Sequence, residues 1–363
     1  MSAFVVAGRR TAVVPRGGAF AGLDLTDLAV PVVRACLADA GIACDEVDEL
    51  IVANALGGGG NVARLVALAA GLPQRVAGLT TDRQCAGGLD AVLLARAMVM
   101  SGLAEVVVAG GVESYSRRPL RFRTDPLGGP AVAYDRPAFT PWPDRDPDMT
   151  AAAAALAARL GITRQAQDAW AVDSHAKAAR ADFTAEIVGL AGCNRDAFAR
   201  GLTLPVAARA KALAGSVTVA TTAVAADAAA FVVVVSAARA QGMARRARIV
   251  GGATRGSQPD EPGLAPLVAM AEVMQCGGLS PQDLQVAEIM EAYAVQALAC
   301  IHGAGIDPAL VNPGGGALAR GHPIGASGAI LAVRLFHGLQ HGYGIAAIAA
   351  AGGIGTALLM ERG

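Results

Sequence analysis

Aromatic residues make up only 4% of this 363-residue chain and charged residues 17%. Lys plus Arg balance Asp plus Glu at 30 each, so the formal net charge is zero. Without an excess of either sign there is no global field to draw in nucleic acid or an anionic membrane, which excludes a basic scanning protein. The six cysteines, Cys36, Cys44, Cys85, Cys193, Cys276 and Cys300, include no CxxC spacing. Neither a zinc knuckle nor a disulfide framework is therefore expected; no metal is foreseen, and each thiol is taken as free. The longest uncharged run, Leu335 to Met360, is interrupted by His337, Gln340, His341 and six glycines. It reads as buried strand and turn and not as a membrane span. The opening MSAFVVAGRRTAVV places its arginines after a short apolar stretch, unlike a secretory signal, so a cytoplasmic location is the expectation.

What the chain has in abundance is small apolar residues. Hydrophobic residues reach 54%, mostly Ala and Val, beside 45 glycines. Such a composition suits close-packed layers with tight backbone approaches. The length allows two or three structural units.

The two ends of the chain resemble each other. Ala40–Val47 matches Gly277–Leu284 at an offset of 237 residues, Cys85–Gly102 matches Gly325–Gly342 at 240, and Val106–Gly111 matches Ile348–Gly353 at 242. Three matches in order point to a duplicated domain. Within the first copy, apolar strands (49–55, 105–110) alternate with amphipathic helices (26–40, 61–71, 86–101), which predicts α/β layers. Between the copies, residues 116–147 hold seven prolines and six arginines and read as an ordered excursion loop. Helices are predicted over 151–160 and 164–181, and strands return at 217–220 and 231–235. The expected division is therefore an N-terminal half formed by 1–115 with 216–243, an insertion over 116–215, and a C-terminal half over 244–363. Inserted segments of this kind often carry substrate contacts.

Cys85 follows Asp82-Arg83-Gln84 and precedes Ala86-Gly87-Gly88, at the start of a helical run. A helix N-terminus lowers a thiol pKa and turns backbone N–H groups toward an oxyanion, so a reactive thiol is expected there. His322 lies in a glycine-dense loop, Gly321-His322-Pro323-Ile324-Gly325, that opens the second copy of the same helix. If a pseudo-twofold relates the copies, the two helix starts meet, and a histidine beside a cysteine supplies the base that a thiol nucleophile needs.

With these residues in place, the chain resembles the thiolase family, of the acetyl-CoA C-acetyltransferase or 3-ketoacyl-CoA thiolase type. The likeness is carried by Arg10-Thr11-Ala12-Val13, Asn61-Val62-Ala63-Arg64, the Cys85 motif, Val108 to Ser114, Glu291-Ala292-Tyr293-Ala294 and the His322 motif. It implies a five-layered αβαβα fold of two similar halves with an inserted loop domain, and a homodimer or homotetramer. It also implies acyl-CoA substrates, with coenzyme A as the acyl carrier and no separate cofactor. Cys85 would take the acyl group and His322 would activate the thiol, with the backbone N–H groups of Cys85 and Ala351 forming an oxyanion hole. Met149, Arg200, Ala292 and Tyr293 fall at family substrate-binding positions.

The likeness breaks at several places. Met290 stands where the family has an Asn that holds a water, and Ala349 where it has the second catalytic cysteine, the group that moves the substrate α-proton. The stretch Ala220–Asp227 lacks a serine that contacts the pantetheine arm, and Asp148-Met149 replaces a His-Met pair. Loss of a general acid/base costs about 10²–10⁴ in rate, whereas backbone oxyanion donors survive side-chain change. The expectation is an acyltransferase that forms an acyl-enzyme on Cys85, with condensation and thiolysis impaired. The alternatives are an acyl-CoA thioesterase and a non-catalytic acyl-CoA-binding protein.

Overall fold

The computed structural model describes residues 2–363. Its principal strands are β1 (Ala3–Thr11), β2 (Glu49–Ala53), β3 (Leu79–Thr81), β4 (Val106–Glu113), β5 (Ala226–Ser236), β6 (Ala247–Gly256), β7 (Leu284–Ile289), β8 (Gly342–Ala350) and β9 (Ile354–Arg362). The principal helices are α1 (Leu25–Ala40), α2 (Val62–Ala70), α3 (Gly87–Ser101), α4 (Met149–Leu160), α5 (Arg164–Arg180), α6 (Ala265–Gly277), α7 (Ala294–Ala304) and α8 (Ile324–Gly338).

The strand order β3-β2-β4-β5-β1 in the first half continues as β6-β9-β8-β7 in the second. Only Phe4 with Arg248 and Val5 with Ala247 pair β1 to β6 across the junction. The pairing pattern repeats. β2 runs parallel to β4, which is antiparallel to β5, which is antiparallel to β1. Correspondingly, β7 runs parallel to β8, which is antiparallel to β9, which is antiparallel to β6.

Five layers follow from which side of each strand is covered. Ala228, Ala230, Val232 and Val234 of β5 pack inward with Leu89 and Val92 of α3 and with Ile330 and Val333 of α8. The alternate residues Ala229, Phe231, Val233 and Val235 pack outward with Leu28, Val32 and Cys36 of α1. In β8, Ala346 and Ile348 face the same inner layer, while Ile345 and Ala347 face Met270 of α6 and Ile301 of α7. With both faces buried, these strands read as continuous apolar runs and not as alternation. Helices α3 and α8 are thus the middle layer of an αβαβα stack.

The repeat is visible at single residues. Gly41 and Gly278, 237 apart, both end a helix in the left-handed region, at φ 64° and 65°. Such a C-cap is steric work for glycine. At Gly88 a Cβ would stand 2.6 Å from Ala329 N, and at Gly328 one would stand 2.4 Å from Leu89 N. Two glycines 240 residues apart therefore let α3 and α8 cross backbone to backbone. The third match has a different register: β8 ends at Ala350, so Ile348–Gly353 covers a strand end and its turn, and the counterpart of β4 lies earlier, within 342–350.

The segment between β4 and β5 carries a small hairpin (Arg121–Arg123 with Val132–Tyr134), then α4 and α5. Asp148 caps α4 by accepting from Thr150 N at 2.8 Å and Ala151 N at 3.1 Å. That cap starts α4 two residues before the predicted 151 and fixes Met149 in its first turn.

Candidate active site

The crossing of α3 and α8 brings their N-terminal ends together, and with them Cys85 and His322. Cys85 sits in a single 3-10 turn, Gln84–Ala86, ahead of α3. Gln84 holds φ +48°, a conformation costly for a residue with a Cβ, of order 1–3 kcal/mol. His322 is anchored by its backbone N–H, which donates to Val224 O at 2.7 Å. Its Nε2 lies 3.1 Å from Cys85 Sγ, and its Nδ1 lies 2.6 Å from Ser327 Oγ.

The protons on this chain can be counted. The Ser327 hydroxyl donates to Pro323 O at 3.0 Å, so its oxygen accepts from Nδ1–H of His322. The Nε2 lone pair is then left facing the Cys85 thiol, as a general base requires. Ser327 lies just beyond the Gly321–Gly325 motif and is not among the residues that the sequence singles out. Its position five residues after His322, on the first turn of a helix opening at Pro323, is the signal that would have found it.

Charge at the pair differs from the sequence expectation. Burial pushes the Cys85 thiol up to about 12, and the neighbouring Glu113 and Asp82 add to this. The backbone N–H groups of Cys85 and Ala351 act the other way without overcoming it. Burial also holds His322 down to about 4. The resting pair is therefore neutral thiol and neutral imidazole, and not the lowered thiol foreseen from the helix end alone. Both backbone N–H groups are directed at the Cys85 sulfur.

A buried carboxylate ties the surrounding elements. Glu113, at the end of β4, accepts from Asn54 Nδ2 at 2.8 Å, Ala55 N at 3.0 Å, Leu56 N at 3.2 Å and Gly325 N at 3.0 Å. Burial pushes its carboxyl up to about 7. Glu291 does the same in the second half, accepting from Trp170 Nε1, Ser174 Oγ, Asn312 Nδ2 and Leu318 N.

Cys85 and His322 open into a cavity of about 320 Å³. Met149, Ala292, Tyr293 and Ala351, all singled out from the sequence, line it, as does Ala349. Arg200 does not: it is exposed, its guanidinium stacked 4.2 Å over the Phe198 ring while its backbone N–H donates to His175 Nδ1. Met290 is buried in the core beneath. Among the described residues no group of three or more His, Cys, Asp or Glu could hold a metal, and no helix is long and apolar enough to cross a membrane.

Known proteins share this architecture over the full length. The thiolase N-terminal domain matches residues 3–238 and the thiolase C-terminal domain residues 243–362. A putative acetyl-CoA C-acetyltransferase, YhfS, of Bacillus subtilis is 39% identical over 379 residues, covering 99% of both chains. An acetyl-CoA acetyltransferase of Cupriavidus necator is 38% identical, covering 99% of this chain and 98% of the relative. Among solved structures, the Acat5 thiolase from Ascaris suum in complex with coenzyme A superposes with a TM-score of 0.93 at 27% identity over 100% of both chains. The Bacillus anthracis acetyl-CoA acetyltransferase gives 0.91 at 32% identity, covering 99% of this chain and 98% of the other.

Proposed function

Because the chain belongs to the thiolase family, we propose that it is an acyltransferase that takes an acyl group from a coenzyme A thioester onto Cys85. The observation that carries this is the 3.1 Å contact of His322 Nε2 with Cys85 Sγ, the lone pair set by Ser327. In the forward step the Cys85 thiol gives its proton to Nε2 as sulfur bonds to the thioester carbonyl carbon. The developing oxyanion accepts from the N–H groups of Cys85 and Ala351. Collapse breaks the bond to the coenzyme A sulfur, which leaves with the proton returned from Nε2. A neutral base beside a neutral thiol suits this transfer, because the charge appears only as the bond forms.

Carbon–carbon bond formation is a different matter. It requires removal of the α-proton from a second acyl-CoA, and the Ala349 methyl has no group to accept it. We therefore expect acylation of Cys85 to outpace condensation by orders of magnitude. Met149, Ala292 and Tyr293 support the placement of the acyl and pantetheine portion in the cavity that they line. Intact-protein mass spectrometry after mixing with acetyl-CoA tests the reading: one acetyl adduct is expected, lost in Cys85→Ser. An unmodified mass, or an adduct that persists in that variant, would overturn it.

A further inference from the structure

One polar side chain in the cavity has neither a part in acyl transfer nor a hydrogen-bond partner among the described residues. Tyr115 follows β4, two residues beyond Glu113, and its ring lines the cavity together with Cys85. Its backbone is fixed on both sides. Ser114 Oγ accepts from Arg117 N at 3.1 Å; Ser116 donates from its N–H to Asp227 of β5 at 3.0 Å and also through its hydroxyl; Gly17 N donates to Ser116 Oγ at 2.9 Å. A side chain carried on so constrained a turn is held in one direction, which is what discrimination needs.

The cavity holds a second phenol, and the two differ. Tyr293 is bonded to Thr150 Oγ1 at 3.1 Å. Among the described residues, nothing is hydrogen-bonded to the Tyr115 hydroxyl, and the side chain is only partly buried and open to the cavity. Both phenols share the cavity with the Cys85 sulfur. The wall around them mixes apolar Ala223, Ala292, Ile324 and Ala349 with polar side chains that already have partners: Gln84 bonds Asp82, Thr222 donates to Thr218 O, and Gln296 bonds Ala292 N and Cys300 Sγ. A hydrocarbon chain seated there would cover the Tyr115 hydroxyl without pairing it, which is unfavourable. A chain bearing an oxygen would pair it. The lining contains no Lys or Arg, and Glu261, which is in it, is paired with Arg159, so an anionic chain end finds no cation there and is disfavoured.

We propose that Tyr115 is a specificity-determining residue that selects acyl groups bearing a neutral oxygen, a hydroxyl above all, over hydrocarbon chains of the same length. This rests on the acyl-enzyme reading above and adds to it the chemical class of the acyl group. A site hydroxyl built to pair with substrate discriminates more sharply than an apolar pocket does.

The test compares single-turnover loading of Cys85 from 3-hydroxybutyryl-CoA, butyryl-CoA and succinyl-CoA, read by intact mass. In the unsubstituted protein the hydroxyacyl ester should load about tenfold or more faster than butyryl, with succinyl slowest. Tyr115→Phe should bring the hydroxyacyl and butyryl rates to within about twofold of each other. Equal loading of these two by the unsubstituted protein, or a preference that survives Tyr115→Phe, would overturn the proposal while leaving acylation intact. No adduct from any of the three esters would overturn the Cys85 reading itself, and the proposal with it. Equal loading by the unsubstituted protein overturns the proposal without any variant, and Tyr115→Leu, held to the same expectation, takes the place of Tyr115→Phe should that variant fail to fold.

Discussion

At the scale of single residues, the site is governed by where protons rest. Cys85 and His322 were legible in the sequence because each sits at the start of a copied helix, and duplication alone says that such starts meet. The sign of the thiol shift was not legible: the helix end and burial oppose each other, and only packing shows that burial wins. The imidazole has a matching consequence. With its pKa near 4, His322 is unprotonated and competent as a base everywhere above that value. Acylation of Cys85 should therefore be level between pH 5 and 8 and fall only toward pH 4; an acid limb centred near the ordinary imidazole value would show that the ring is not desolvated. Ser327 acts through the ring. Ser327→Ala should slow acylation by about tenfold to a hundredfold by freeing Nδ1–H, and Ser327→Thr, which keeps the hydroxyl, should restore most of the rate. Equal loss in both variants would make Ser327 a packing residue only.

At the scale of elements, the middle layer decides whether the site exists. Most helices were foreseen to within a residue or two, α1 over 26–40 against Leu25–Ala40 and α5 over 164–181 against Arg164–Arg180. Periodicity and glycine caps are local signals and survive folding. The hairpin at Arg121–Tyr134 and the extension of β4 to Glu113 were missed, since a three-residue strand has no period and Glu113 looks polar until its four hydrogen bonds are seen. The crossing itself depends on Gly88 and Gly328. In Gly328→Ala the added methyl would press on the backbone of Leu89, at 2.4 Å from its nitrogen, and backbone cannot turn aside as a side chain can. Overpacking of this kind costs about 1–3 kcal/mol. A lower denaturant midpoint is expected, together with slower acylation, because Cys85 and His322 ride on the two helices being parted. An unchanged midpoint would mean that the crossing can widen freely.

At the scale of the whole molecule, the halves and the inserted segment are joined by a buried charge network that composition could not reveal. Arg10 of β1 pairs with Glu186 at 3.0 Å and Asp196 at 2.7 Å, both from the insertion. Arg334 of α8 pairs with Glu186 at 2.5 Å and more loosely with Glu288 of β7 at 3.5 Å. All five side chains are at most 7% exposed. These ions are spent inside, where removing one partner strands another. Glu186→Gln leaves Arg334 with only the distant Glu288, so a loss of about 3–5 kcal/mol in unfolding free energy is expected. Glu288→Gln should cost less, because burial already raises that carboxyl and its oxygens have no hydrogen-bond partner among the described residues. The pH dependence separates the two. Although burial opposes it, pairing with Arg334 and Arg10 holds Glu186 below the ordinary carboxylate value, so its contribution is full above about pH 4.5 and is lost as pH falls through the lowered value. The unsubstituted protein should therefore lose stability steeply between pH 5 and 3, and Glu186→Gln should start lower and change less over that window. Parallel stability curves for the two proteins would show that Glu186 carries no charge-linked stability, leaving Arg10 with Asp196 as the charge tie between the insertion and β1.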